Sequence, residues 1–166
     1  MTNCDFSENY LQNNEFIKLI LSSLSIVGGN LKETNSSGEF AFIGSNQIST
    51  VIIDGLQAEE LHAEFMQIVL STTSIDNSLF SKGTKSLVES ISGTTTINNC
   101  IFNAFTLGSN RLLNSEENSI VHLSDSKFLD VSGDSSILWL QEAETTVTNV
   151  TMNGTSSTRG IEGVYT

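Results

Sequence analysis

One short frame recurs along this 166-residue chain: an apolar residue, any residue, Asn or a substitute, a small residue, any residue, then a large apolar one. It is fullest in Ile97-Asn98-Asn99-Cys100-Ile101-Phe102, and Met1-Thr2-Asn3-Cys4-Asp5-Phe6 repeats it. Ile75-Asp76-Asn77-Ser78-Leu79-Phe80, Leu123-Ser124-Asp125-Ser126-Lys127-Phe128 and Val147-Thr148-Asn149-Val150-Thr151-Met152 keep the frame. Ile26-Val27-Gly28-Gly29-Asn30-Leu31 and Ile52-Ile53-Asp54-Gly55-Leu56 are weaker copies. The anchors at 1, 26, 52, 75, 97, 123 and 147 are spaced by 25, 26, 23, 22, 26 and 24 residues. Ten residues ahead of the later six stand Phe16, Phe42, Phe65, Leu87, Leu113 and Ile137, and Ile161 holds that place for an eighth anchor. Two columns drifting together mark a structural repeat.

A period of 22 to 26 residues admits few architectures. Helical repeats need about 33 residues and heptad-like spacing, and leucine-rich repeats need a Leu-x-x-Leu-x-Leu frame. Neither pattern is present. Short β-branched runs such as Thr145-Thr146-Val147-Thr148 alternate with Gly, Ser, Asn and Asp turns, which reads as strands and tight corners. The expected fold is therefore all-β: a single-stranded parallel β-helix, or solenoid, of about seven coils spanning residues 1–166. At about 4.8 Å per coil it makes a rod on the order of 30 to 35 Å long.

The columns then acquire physical roles. Anchors point inward, and so does the core stack Phe6, Phe80, Phe102, Phe128 and Met152. Two residues after each anchor comes a polar ladder, Asn3, Asp54, Asn77, Asn99, Asp125 and Asn149, with Gly28 in the second coil. Short polar side chains there can satisfy backbone groups and tolerate left-handed dihedrals. The next position is small nearly throughout, from Cys4 and Gly29 to Cys100 and Ser126, as a tight corner requires. The chain contains no Pro, as interior coils demand, because every interior N–H bonds a neighbouring strand.

The Asn-Cys-x-Phe turns and the repeat they belong to resemble the right-handed parallel β-helix of the pectin-lyase-like superfamily. They are similar to turns of large repeat proteins on protist, particularly ciliate, cell surfaces. A partial likeness to chlamydial polymorphic outer-membrane proteins lies in Phe6-Ser7-Glu8-Asn9 and Val27-Gly28-Gly29-Asn30. Right-handedness is what this resemblance implies.

Charge narrows the partners. Seven Lys and Arg against nineteen Asp and Glu give a net charge of −12, which argues against nucleic acid and anionic membrane surfaces. Residues 16–27 are too short an apolar stretch to span a bilayer, which takes roughly 20 residues, and the segment before them lacks the basic start of a signal peptide. Direct membrane insertion by this segment is not expected.

Catalytic and metal signatures are weak. Only Arg111 and Arg159 are arginines, and neither sits beside a repeated acidic column as a lyase base should. The Asn-Thr-Asp, Asp-Asp and Gly-His-Gly signatures of superfamily hydrolases are absent. His62 and His122 are too few for zinc, which takes three or four ligands. No cofactor is expected; weak calcium binding at Glu59-Glu60, Glu116-Glu117 or Asp130 with Asp134 is the only cation expectation. Cys4 and Cys100 lie four coils apart, roughly 19 Å, beyond disulfide reach, and are expected as buried free thiols. Trp139 shares an outward column with Lys18, Gly44, Gln67, Glu89 and Ser115, where it is a contact for a sugar or a partner chain, or packs under a loop.

Three N-glycosylation acceptors occur, at Asn35, Asn149 and Asn153. Asn35, in the expected loop 33–38, is the best candidate, and Asn149 is poorly placed within the ladder. Nothing resembles a terminal cap, so the ends are expected to continue into a longer β-helix or to stack on other copies. The chain is expected to be a non-catalytic structural or adhesive module of an extracellular or cell-surface protein, a rigid scaffold that can assemble end to end into a filament. Loops 33–38 and 81–86 are its expected partner sites, and glycans are expected ligands. The alternative is a fragment of a polysaccharide lyase or hydrolase, favoured if acidic and basic groups cluster on one exposed strand face.

Overall fold

A computed structural model describes residues 1–11, 16–36, 41–45, 48–157 and 160–164. Among these residues every element is a strand, and every strand pair is parallel. Strands stack as a β-solenoid of about six turns. Seven stacked anchors enclose six complete turns, which is why the count is one below the seven coils expected. Among the described residues no helix is long and apolar enough to cross a membrane.

Three faces wrap the core. On the first, Thr50–Asp54, Thr72–Asp76, Thr94–Asn98, Ile120–Ser124 and Glu144–Thr148 follow the leading half of Ser23–Ser36. On the second, Gln57–His62, Leu79–Ser81, Ile101–Asn103, Lys127–Leu129 and Thr151–Asn153 follow its trailing half, against which Thr2–Leu11 also pairs. The third runs from Ile17–Leu19 through Ala41–Ser45, Glu64–Val69, Val88–Ile91, Leu113–Glu116 and Leu138–Gln141 to Ile161–Val164. Alternation sets the inside: Val88–Ile91 and Ile120–Ser124 each bury every second residue, as one-sided strands must.

The corner between the first and second faces is built from Asn3, Gly28, Gly55, Asn77, Asn99, Asp125 and Asn149, all with φ between 48° and 71°. Gly, Asn and Asp enter this left-handed region at least cost. Asp54 is the correction here. Val27 pairs with Asp54, and Asp54 with Asp76, so Asp54 belongs to the preceding, strand-end column and Gly55 holds the corner. The third-coil anchor is accordingly Ile53, fully buried, and not Ile52, 42% exposed. Asp54 still joins the ladder from the side: Asn77 donates to it at 2.7 Å, Asn99 donates to Asn77 at 2.8 Å, and Asn149 donates to Asp125 at 2.6 Å.

The small column after the ladder has a second job. The Ser78 and Ser126 hydroxyls donate back to the carbonyls of Asp76 and Ser124, two residues earlier. Each also accepts a backbone N–H from the adjacent coil, of Leu56 and Cys100 respectively. One hydroxyl therefore ties the corner to itself and to its neighbour.

Inside, Phe6, Leu31, Ala58, Phe80, Phe102, Phe128 and Met152 form one column. Phe80, Phe102 and Phe128 are fully buried and stacked, with centroids 5.7 and 4.8 Å apart. At Ala58 the column is too small to continue an aromatic stack. Phe65 of the third face fills the gap, edge-on to Phe80 at 5.3 Å and stacked on Phe42 at 6.2 Å, which stacks on Phe16 at 4.9 Å. A single aromatic spine thus crosses from one wall to another. The expected partner column slips by one at Leu113, which pairs with Val88 and Leu138. Leu112 takes its place between Leu87 and Ile137, and Ile161 pairs with Leu138.

Candidate functional site

A concavity of about 490 Å³ lies on the outer side of the second face near the first coils. Because side chains alternate, this face presents Asp5, Asn30, Gln57 and Leu79 in one row and Ser7, Lys32, Glu59 and Ser81 in the next. Asn30 donates to Asp5 at 2.8 Å. Lys82, just past the strand, hydrogen-bonds and ion-pairs with Glu59 and lies 3.8 Å from Glu60. That ammonium holds the Glu59 carboxyl below its ordinary range, and Glu59 in turn raises Lys82. A general acid working near neutrality needs a carboxyl pushed the other way. The groove therefore offers the ionised Glu59 carboxylate together with amides and hydroxyls suited to hydrogen-bonding a polar ligand.

A second concavity, about 240 Å³, opens at the edge of the third face and is lined by Ser86, Ser109, Asn110, Arg111 and Asn114. The longer fifth coil carries residues 104–112 around the corner and sets Arg111 over the Trp139 ring, Cζ to centroid 4.0 Å. Trp139 is half-buried and points outward, in register with Asn114 and Glu162. Asn114, not Ser115, completes its column, since Ser115 is buried and pairs with Leu140. Trp139 therefore packs beneath an arginine, and Arg111 is the site residue that sequence reasoning passed over. A coil-length spacing with a corner loop between gives no sign of that meeting.

Asn35 is exposed but ends a strand, paired with His62, so it is not in a loop; residues 37 and 38 of the expected loop lie outside the described residues, as do Arg159 and Tyr165. Asn153 is exposed at a strand end before Gly154, and the exposed Asn149 already spends its amide on Asp125. His62 meets Thr84 at 3.1 Å. Among the described residues no three His, Cys, Asp or Glu side chains gather as a metal site. Both cysteines are free thiols; Cys100 is buried, whereas Cys4 is half-buried, because no coil lies beyond it on that side in the described residues. Burial raises the Cys100 thiol to about 11.

No family model matches the chain, and no curated protein matches it.

Proposed function

We propose that the chain is a non-catalytic structural and adhesive module of an extracellular or cell-surface protein, a rigid scaffold of the right-handed, pectin-lyase-like β-helix kind. The observation that carries this reading is the allocation of polar groups. Ladder amides, corner hydroxyls and the Lys82–Glu59 pair bond one coil to the next, and the core is a continuous aromatic and aliphatic stack. Such a rod transmits position and presents long flat faces, and the amide-rich groove of the second face is where a glycan lies.

The rival reading, part of a polysaccharide lyase or hydrolase, draws on one observation: Asp5, Lys32 and Glu59 share that groove. One measurement tests the rigidity of the rod and a second separates the two readings. Hydrogen exchange of a scaffold is uniformly slow across the strands of the second to sixth coils, and the chain releases no product from a panel of acidic and neutral polysaccharides. Fast exchange in the central coils, or turnover that Glu59→Gln abolishes, overturns the scaffold.

A further inference from the structure

We infer that the pocket beside Arg111 binds the carboxylate of a single acidic sugar residue. Among the described residues, lysines take the carboxylate partners, Lys82 with Glu59 and Glu60 and Lys32 with Glu33, and no ion pair forms to Arg111. Its Nη1 makes one long bond, 3.3 Å, to the Asn114 side-chain oxygen, and its Nε is buried with no partner. Asn114 stands between this guanidinium and Glu116, to which its amide donates at 3.1 Å. Glu89, on the neighbouring strand, is held by Gln67 at 2.8 Å. The cation is thus fixed on the Trp139 ring with donors left over, and a planar carboxylate suits its fork.

The rest of the pocket selects the ligand. Ser86, Ser109, Asn110 and Asn114 supply hydroxyls and amides, and no apolar side chain lines it, so it has nowhere to desolvate a peptide side chain. The Asn110 amide nitrogen is committed to the carbonyls of Thr84 and Leu107 at 3.1 and 3.0 Å, which leaves its side-chain oxygen for a ligand hydroxyl. At about 240 Å³ the pocket is below the range of about 300 Å³ and upward that takes drug-sized ligands, and it fits one sugar ring. The net charge of −12 repels polyanions, which favours a ligand with one negative charge. This adds to the adhesive function proposed above a second contact, apart from the groove of the second face, and rests on that reading for its role only; failure to bind leaves the scaffold tested by exchange.

Trp139 is the chain's only tryptophan, so its fluorescence reports on Arg111 directly. Titration with N-acetylneuraminate and with glucuronate is expected to give a saturable change, with glucose, acetate and inorganic phosphate at least about tenfold weaker. Arg111→Gln is expected to lose at least about tenfold in affinity at unchanged circular dichroism. Ser109→Tyr, an exposed position whose ring fills the pocket without touching the core, is expected to abolish binding even if the arginine variant misfolds. Equal responses to acetate or phosphate, saturation by glucose, silence towards both acidic sugars, or wild-type titration by Ser109→Tyr each overturn the proposal.

Discussion

At Leu70 the backbone is left-handed, φ 53°, and the side chain is 55% exposed. This conformation costs an L-residue roughly 1–2 kcal/mol, and a solvent-facing leucine returns little of it. Leu70→Gly is therefore expected to raise the unfolding free energy by about 0.5–1 kcal/mol after the added entropy of the unfolded chain, read as a higher denaturant midpoint at unchanged slope. Asn77, φ 51°, differs because its amide links Asp54 and Asn99 across coils. Cys100 gives a pH test. Its thiol, raised to about 11 from 9.0 mainly by burial, stays protonated in the fold after the unfolded chain has begun to ionise. The proton is held more tightly by the folded state, so this contribution is intact below pH 9 and falls as pH climbs towards 11. Ser occupies the equivalent corners Ser78 and Ser126 with the same back-bond. Cys100→Ser is expected to cost less than about 1.5 kcal/mol and to flatten stability across that alkaline window, measured by denaturation at a series of pH values.

Gly83 shows how tightly neighbouring elements constrain each other. A Cβ there would lie 2.1 Å from the ring of Phe105, which is itself fully buried and unable to yield without moving the core. Gly83→Ala is expected to destabilise by about 1–3 kcal/mol, whereas Gly108→Ala, where a Cβ meets nothing within 4 Å, pays only for its positive φ; paired melts of the two variants check this. The sequence motif was enough to read strands, parallel stacking, the Asn and Asp corner and the column of Phe80, Phe102 and Phe128. It misled where two apolar residues stand together. Ile52-Ile53 and Leu112-Leu113 each offer two ways to satisfy an alternating pattern, and a one-residue slip exchanges inside for outside. The other two left-handed corners did not show in the repeat because Leu21, Glu60, Lys82, Ala104 and Glu142 carry no preference for them, and Asn118, Asp130 and Gly154, which do, are too scattered to mark a column. The crossing of the aromatic spine at Ala58 was equally hidden, since it depends on contact between walls and not on the repeat.

Across the whole molecule, the strands of the outermost coils bond on one side only among the described residues: Thr2–Leu11 pairs with Ser23–Ser36, and Glu144–Thr148 with Ile120–Ser124. Inward positions that are closed elsewhere open there. Val147 is 41% exposed while its partner Leu123 is 1%, and Ile161 is 44% exposed while Leu138 is 2%. An open parallel edge with its apolar column uncovered is a template for the next strand, supplied by more of the same chain or by a second copy. If copies supply it, sedimentation of this chain shows mass growing with concentration from 18.0 kDa through integer multiples. Val147→Lys with Ile161→Lys places two cations on that edge, where their charge opposes the pairing of another strand, and is expected to return the mass to 18.0 kDa without disturbing the inner coils. A mass that stays at the monomer value at every concentration rules out the filament. Growth that survives the double substitution places the contact elsewhere, on the flat faces of the rod.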